Sequence, residues 1–186
     1  MNLDKAISGR RAVRDYTAAA VDEATIRGLI DAAVQAPSAV NQQPWTFTVV
    51  RNQGLLDKIS HEAKLYMLAT MPEHQNVAHF TARLSDPKYQ IFYHAPVLIV
   101  ISAAASGPWI VEDCALAAQN LMLAAFAARL GSCWIGFAQK FLGTEVGKSL
   151  IGCPQEWVPV APIIVGHPSG AVAPVARKEP VIRWTD

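Results

Sequence analysis

The stretch EDCALAAQNLMLAAFAARLGSCWIGF, residues 112–137, joins a long apolar segment to a glycine-marked end. Together with Val111, its first part is apolar nearly all round up to Leu130, which predicts a helix in the centre of the protein or of a dimer. Gly131 offers a stop for this helix, and SCWIGF at 132–137 predicts a short strand or turn after it. This stretch therefore predicts a fold that is organised around a central helix followed by a strand.

Apolar runs on both sides of this stretch predict the strands of a mixed fold. PVLIVISA at 96–103 and VPVAPIIVG at 158–166 have the continuous hydrophobicity of buried strands. TFTVV at 46–50 has the β-branched and aromatic content of a third strand. Residues 67–94 have mixed character and give only a weak prediction. The remaining predictions are helices at 2–9, 23–35 with Asp22 as N-cap, 54–66 and 144–151, an extended segment at 10–17, and a Pro-rich tail that is either disordered or laid extended across another surface.

Length and charge limit the class of protein. At 186 residues the chain is expected to form one domain spanning 1–186. Its 16 basic and 15 acidic residues give a formal charge of +1, so there is no broad positive field to bind nucleic acid or an anionic membrane surface. Apolar residues make up 52% of the chain and charged residues only 17%, which favours burial of the surplus against a second copy in a homodimer.

The cysteines and the N-terminus indicate the compartment. Cys114, Cys133 and Cys153 are far apart, with no CxxC pair and no histidine at metal-ligand spacing, so neither a disulfide framework nor a metal site is expected. The N-terminal MNLDKAISGRR lacks the apolar core of a secretory signal, and the longest apolar stretch, about 95–111, is interrupted by Pro, Ser and Gly. A cytoplasmic protein without a membrane span is therefore expected.

Three arginines form the first candidate site. Arg10, Arg11 and Arg14 lie close together in an otherwise neutral chain. Guanidinium groups match phosphate oxygens bidentately and keep their charge, so the cluster predicts a local anion site. Alternation along the extended segment puts Arg10 and Arg14 on one face. A solvated surface cluster explains the same residues equally well.

Two further segments carry polar or flexible groups. The loop PSAVNQQPW at 37–45 has three amides that both donate and accept, which suits a heteroaromatic ring with alternating C=O and N–H groups. A turn made of ordinary turn formers is the alternative. Gly131 and Gly136 allow the backbone to approach a planar ligand closely, although a helix C-cap is the favoured reading of Gly131.

Taken in order, RRAVRDY, PSAVNQQPW, APVLIV, EDCALAAQNLMLAA leading to GSCWIGF, and IIVGHP resemble the FMN-dependent nitroreductase family along essentially the whole chain. The resemblance implies an α+β fold with a central, mostly antiparallel sheet flanked by helices. It also implies an intertwined homodimer with FMN at the subunit interface and an extended C-terminal tail that reaches the other subunit. The Rossmann fingerprint GxGxxG is absent, as this family leads one to expect.

The resemblance also implies the cofactor-binding residues. Arg10, Arg11 and Arg14 are expected along the FMN phosphate, the ribityl chain and the N1/O2 side of the ring. The loop residues expected to reach the flavin, some from the partner subunit, are Pro37, Ser38, Asn41 and Gln43. A backbone N–H near flavin N5 is expected from Ile135 and Gly136, and a second phosphate contact from Arg177. The family commonly has a hydroxyl residue at the position of Ala12, so one cofactor hydrogen bond is expected to be missing here.

The implied activity is transfer of hydride from NADH or NADPH, through FMN, to a nitroaromatic, a quinone or a related small oxidised acceptor in a ping-pong scheme. No catalytic side chain is expected, because the chemistry belongs to the flavin. One alternative is a flavin enzyme of the same fold with a dedicated metabolite substrate, for example one that removes halogen or fragments its own flavin. Others are a flavin protein for storage or redox sensing and a nucleotide-binding module that uses only the arginines.

Overall fold

Four antiparallel strands lie at the centre of the computed structural model, which describes residues 1–70 and 77–185. Across the sheet they run in the order β1, β2, β4, β3, and their bounds are β1 Trp45–Val50, β2 Val97–Ala103, β3 Gly131–Trp134 and β4 Val158–Gly166. All neighbouring strands pair antiparallel, with a register irregularity in β2 between Ile101 and Ser102. The predicted antiparallel sheet is thus confirmed, and β1 and β3 are its two edges.

Helices cover both faces of this sheet. In the described part of the chain they are α1 Leu3–Gly9, α2 Glu23–Ala33, α3 Gln53–Thr70, α4 Val77–Ser85, α5 Ile110–Ala127, α6 Gly136–Leu142 and α7 Glu145–Leu150, with a 3-10 turn at Ala39–Asn41. The predicted Asp22 cap is confirmed, since its carboxylate accepts from Thr25 N at 2.7 Å and from Thr25 Oγ1 at 2.8 Å. The sequence did not predict α4, which lies in the weakly patterned segment, or α6, which begins inside the strand expected at 132–137.

Alternation along β2 explains why its sequence is continuously apolar. Val97, Ile99 and Ile101 belong to the cluster formed with α2 and α5, whereas Leu98 and Val100 belong to the cluster formed with α3 and α6. These five side chains are at most 1% exposed. The prediction of a strand covered on both faces is therefore confirmed.

The central helix that the sequence predicts is α5, which packs along one face of the sheet. Cys114, Ala117 and Leu121 are fully buried, while Val111 and Leu116 are 51% and 45% exposed. By length and hydropathy α5 could cross a membrane, but its buried side packs here as a core helix does. In a single chain, the other side of the helix leaves apolar surface in water.

Gly131 does not end α5, contrary to the expectation from sequence. The turn is made by Arg129, whose φ of 61° lies in the left-handed region. Leu130 N then donates to Ala125 O at 2.8 Å and Arg129 N to Phe126 O at 3.0 Å, the two hydrogen bonds of a Schellman motif. Gly131 is instead the first residue of β3.

The segment 10–17 is extended, as predicted, and runs beside β3. Ala12 forms a parallel bridge with Ser132, and Tyr16 forms an antiparallel bridge with Pro168. The tail behaves differently: residues 170–185 are exposed and contain no helix or strand. The sheet edge therefore fixes the arginine segment, while the tail lies free of the core.

Candidate functional site

The N-terminal arginine segment is held by its apolar residues. Val13 and Tyr16 are buried, and Val13 N donates to Ser132 O at 3.0 Å. A Cβ on Gly131 would lie 2.7 Å from Val13 Cβ, so glycine at this position allows the segment to pack against β3. With Val13 and Tyr16 fixed inward, the segment leaves Arg14 exposed to solvent.

The three arginines are divided between different cavities in this chain. Arg11 turns back on α1, and its Nη1 donates to Ser8 O at 2.6 Å and to Arg10 O at 2.8 Å. The Arg11 Nε is buried without a hydrogen-bond partner among the described residues. Arg10 lines a cavity beside Arg11, whereas Arg14 lines separate cavities nearer the end of β3. Arg11 thus serves the end of α1, and Arg14 is the guanidinium placed beside the turn that follows β3.

The turn after β3 offers a free backbone donor. Ile135 N donates to Pro162 O at 2.8 Å and is therefore engaged in the sheet. Gly136 is the first residue of α6, so its N–H has no acceptor within the helix. A Cβ on Gly136 would meet nothing within 4 Å. The Gly136 N–H is therefore left without an intrahelical acceptor, and the space beside the Gly136 α-carbon is open.

Arg14 and this turn line one cavity of about 390 Å³, which we name the inner cavity. Its lining residues are Arg14, Phe80, Arg83, Ile91, Tyr93, Cys133, Trp134, Ile135, Gly136 and Phe137. Phe80 and Phe137 meet edge to face with ring centroids 5.7 Å apart. The cavity thus combines aromatic walls with cationic groups and a backbone donor. Trp134 lines this cavity, whereas Trp45, at the end of the amide-rich loop, lies in the core.

The thiol in this cavity stays protonated. Burial raises the pKa of Cys133, and the nearby Arg14 and Arg10 guanidinium groups only partly oppose this effect. Cys133 Sγ also donates to Trp134 O at 3.6 Å. A buried, protonated thiol is a poor nucleophile, so Cys133 acts here as part of the cavity wall.

Sequence reasoning missed the aromatic and cationic residues of α4 and the following turn. The Arg83 guanidinium carbon lies 4.5 Å from the centroid of the Tyr89 ring. The hydroxyls of Tyr89 and Tyr93 are 2.9 Å apart. In the sequence, an arginine is followed at close spacing by two tyrosines. These three residues show no helical or strand periodicity, so their position in the fold could not be predicted.

The loop 37–45 is ordered by its own polar groups. Asp113, buried in the first turn of α5, accepts a hydrogen bond from Ala39 N at 2.9 Å. Gln43 N donates to Ser38 Oγ at 2.9 Å, and Gln43 Nε2 to Asn41 Oδ1 at 3.0 Å. Val40, Asn41 and Gln43 have positive φ, which turns the backbone sharply. The loop therefore presents a fixed, exposed set of amides.

This loop lies far from the inner cavity within one chain. It leads into β1, at one edge of the sheet, whereas Ile135 and Gly136 follow β3 at the other edge. With strands about 4.8 Å apart, the two edges are separated by roughly 14 Å. Arg177 lies in the exposed tail. One chain thus brings together Arg14, Ile135 and Gly136, but not Pro37, Ser38, Asn41, Gln43 or Arg177.

Comparison with known proteins gives the following relatives. The sequence model described as "Nitroreductase family" matches residues 7–167. A protein of Methanothermobacter thermautotrophicus, provisionally named NADH dehydrogenase/NAD(P)H nitroreductase, is 34% identical over 174 residues, covering 91% of this chain and 78% of the relative. The 5,6-dimethylbenzimidazole synthase of Rhodospirillum rubrum is 28% identical over 181 residues, covering 89% of this chain and 82% of that enzyme.

Among solved structures, a nitroreductase with bound FMN from Desulfitobacterium hafniense superposes with a TM-score of 0.83. The two chains are 26% identical, and each is covered completely. This similarity extends over both edges of the sheet and the helices on its two faces.

Proposed function

The chain belongs to the nitroreductase family, and from that membership we propose that it is an FMN-dependent oxidoreductase that takes hydride from NADH or NADPH and reduces a nitroaromatic, a quinone or a related small oxidised acceptor. The observation that carries the proposal is the inner cavity. It holds Arg14 and the free Gly136 N–H together between aromatic walls. A flavin ring requires a cation, a hydrogen-bond donor and apolar surface, and the inner cavity provides all three.

The groups present fit FMN in charge and shape. Within the described ranges the one ion pair closer than 4.0 Å joins Arg27 to Glu23, so Arg14 is not neutralised by a carboxylate there. The open space at Gly136 admits a flat ring beside the backbone. Arg10 and Arg14 would hold the phosphate, the ribityl chain and the N1/O2 edge, and Gly136 would donate toward N5, with Ile135 shaping the turn. Arg11 would contribute through the remaining donor of its guanidinium, since its Nη1 is already engaged and its Nε is buried.

FMN, when bound, supplies the hydride chemistry. The protein's part is orientation and electrostatics. Arg14 would stabilise negative charge on the bound ring, because a fixed cation acts strongly where water is excluded. Phe80, Phe137 and Trp134 provide apolar surface that keeps water from the reacting face. No side chain is assigned a proton-transfer role.

The remaining predicted residues would complete the site of a second copy. Pro37, Ser38, Asn41 and Gln43 lie at the opposite edge of the sheet, so a homodimer would bring the amides of one protomer to the flavin of the other. Exposed apolar residues support such an interface: Trp109, Val111 and Leu116 on or beside α5, and Val175, Ile182 and Trp184 in the tail. The tail would then carry Arg177 to the partner's flavin phosphate.

The testing experiment is an absorption spectrum of the purified protein, followed anaerobically by NADH or NADPH. Bands near about 370 and 450 nm that bleach on addition, and return with a nitroaromatic or a quinone, are expected. Bands that do not bleach would favour storage or redox sensing. A protein without bands that takes up no FMN on reconstitution would contradict the proposed cofactor.

Two further measurements separate cofactor binding from assembly. Arg14→Ala is expected to weaken FMN retention and lower the flavin reduction potential, while the matched surface variant Arg27→Ala leaves both unchanged.

Sedimentation at low micromolar concentration is expected to give about 40 kDa, twice the chain mass of 20.1 kDa. A flavin-loaded species with the mass of one chain would contradict the proposal that the FMN site lies at a subunit interface.

A second candidate is a flavin enzyme of the same fold with a dedicated metabolite substrate. It is favoured by the relative that is a 5,6-dimethylbenzimidazole synthase. Such an enzyme would consume a specific small molecule or its own flavin and would reduce general nitroaromatics poorly. Comparing turnover with a nitroaromatic against loss of flavin absorbance under oxygen distinguishes the two candidates.

A further inference from the structure

A second cavity of about 380 Å³ adjoins the inner cavity and shares Arg14, Arg83 and Tyr93 with it. Lys88, Tyr89 and His94 also line this space, which we name the outer cavity. Arg14 is the one described residue lining it that has a role in the function proposed above. It is built from the turn after α4, where sequence reasoning gave only a weak prediction.

The outer cavity carries an excess of positive charge. Of the described residues that line it, Arg14, Arg83 and Lys88 are cationic and only Asp15 is a carboxylate. None of these cations forms an ion pair with a described residue, since the one pair within 4.0 Å is elsewhere. Like charges held together without a counter-charge favour binding of an anion.

The two tyrosines add hydrogen-bond donors to this charge. Because the Tyr89 and Tyr93 hydroxyls are 2.9 Å apart, one donates to the other and the second keeps a proton to donate outward. Burial, followed by the hydrogen bond to Tyr93, raises the pKa of Tyr89, so the phenol remains a donor. The same ring fixes Arg83 through its cation–π contact.

The turn that carries these groups is clamped to α3. Lys64, only 7% exposed, donates from Nζ to Asp86 O at 2.9 Å and to Tyr89 O at 2.7 Å. Ser60 Oγ accepts from Ile91 N at 3.0 Å. A ligand would therefore meet a preformed site and lose little free energy in ordering it.

We propose that the outer cavity binds the carboxylate of an aromatic acceptor, so that the enzyme selects anionic substrates. Arg83 is the main recognition residue, supported by the Tyr89–Tyr93 hydroxyl pair and Lys88. The aromatic side chains of the inner cavity supply apolar surface for the acceptor's ring. This inference rests on the proposed function, because it names the class of acceptor for the same site.

The test is a calorimetric titration of the purified protein with benzoate and with its neutral counterpart benzamide, neither of which is reduced. Benzoate is expected to bind about tenfold more tightly, the effect of one charge-assisted contact. Arg83→Gln should bring the two dissociation constants together, and Arg83→Lys should retain part of the difference. Arg51→Gln, an exposed arginine of another surface, is the matched control and should keep the wild-type ratio.

Equal affinities in the wild type, or an unchanged ratio in Arg83→Gln, would overturn the proposal. It would also be overturned if Arg83→Gln lowered the kcat/KM ratio of NADPH to NADH and left the benzoate preference intact, because the anion would then be the reductant's phosphate. A loss of FMN affinity in Arg83→Gln, with the benzoate ratio unchanged, would assign the residue to the cofactor instead. Since benzoate does not react, failure of the reductase function leaves the binding result readable.

Discussion

The two faces of the sheet are filled by side chains of different size. On the face covered by α2 and α5, α5 contributes small residues, among them Ala117, Ala118 and Ala125. On the face covered by α3 and α6, large residues such as Phe92 and Phe141 fill the core. The first face ends in exposed apolar side chains of α5, whereas residues of the second face line the inner cavity.

This difference in side-chain size indicates that the two faces of the sheet have different roles, one in packing α5 and one in supporting the inner cavity. Small residues allow α5 to lie close to the strands, so the helix closes the core with one side and leaves the other available to a second copy. Large residues on the opposite face build a rigid wall that supports Arg14 and the turn after β3. We therefore expect exposed α5 to contribute contacts with a second copy, and the α3–α6 face to support the residues that line the inner cavity.

Removing a large side chain from the α3–α6 face should have the largest effect on stability. Phe92 is fully buried, so Phe92→Ala is expected to lower the free energy of unfolding by about 3–5 kcal/mol through lost burial and a cavity. Urea unfolding followed by circular dichroism measures this. Val146→Ala, at a position 62% exposed, is the control and should change little. A loss for Phe92→Ala no greater than for the control would show that this face is loosely packed.

Adding a methyl group where backbones meet on the same face should cost slightly less. A Cβ on Gly147 would lie 2.1 Å from Phe141 O, so Gly147→Ala is expected to lower stability by about 3 kcal/mol. Gly28 in α2 has nothing within 4 Å of its Cβ position, and Gly28→Ala should raise stability by about 0.5–1 kcal/mol. The two melting temperatures, relative to wild type, should move in opposite directions; a shift in the same direction would contradict this contrast.

Enlarging a small residue on the α2–α5 face tests the other half of the comparison. Ala118 is fully buried, and Ala118→Leu is expected to lower the free energy of unfolding by about 2 kcal/mol through overpacking. The same variant should weaken association by displacing α5, which sedimentation at several concentrations would detect. If stability stays at the wild-type value, α5 is not closely packed on the sheet.

A buried thiol on this face should make the protein sensitive to alkali. Burial, reinforced by the neighbouring Asp113 carboxylate, raises the pKa of Cys114 from 9.0 to about 12. Between these values the unfolded chain releases a proton that the folded chain retains, so stability falls as pH rises, by up to about 1.4 kcal/mol per pH unit. Urea unfolding at about pH 8 and about pH 10 checks this. Cys114→Ala should show a shallower fall; an identical slope would assign the effect to other groups.

The smallest expected effect lies at the end of α5. Arg129 holds a left-handed backbone without being glycine, so Arg129→Gly should stabilise the protein by about 0.5–1 kcal/mol. Thermal unfolding measures the change. Arg129→Ala, which keeps a Cβ, is the control and should bring no such gain, and equal melting temperatures for the two variants would remove backbone strain as the cause.

The sequence predicted elements whose residues repeat a simple pattern. The β2 run predicts its strand directly, because burial on both faces requires apolar residues at every position. The long apolar segment from Val111 to Leu130 predicts α5 in the same direct way, although one side of this helix is exposed in a single chain. The arginine at 14 and the glycine at 136 were predicted as site residues, and the structure places them in one cavity.

The rest depends on contacts between distant residues, which no local pattern shows. The position of Gly131 after an apolar helix is typical of a helix stop. Glycine is required there for a different reason, because a Cβ would clash with Val13, which lies near the N-terminus. The turn after α4 is held by Lys64 and Ser60 of α3, so its tyrosines and Arg83 could not be placed from their own segment. Alternation predicted Arg10 and Arg14 on one face, but the burial of Val13 and Tyr16, three residues apart, breaks the alternation. Arg10 therefore lines one cavity with Arg11, and Arg14 lines others.

The exposed tail offers a way to measure the association of the protein with a second copy. Arg177, Lys178 and Arg183 all lie in the stretch 170–185 that the core leaves uncovered, so each is a trypsin site in an isolated chain. A tail laid across a second copy would be protected instead. The rate at which trypsin removes it should therefore fall as protein concentration rises, which would turn a time course of chain length on a gel into a measure of association.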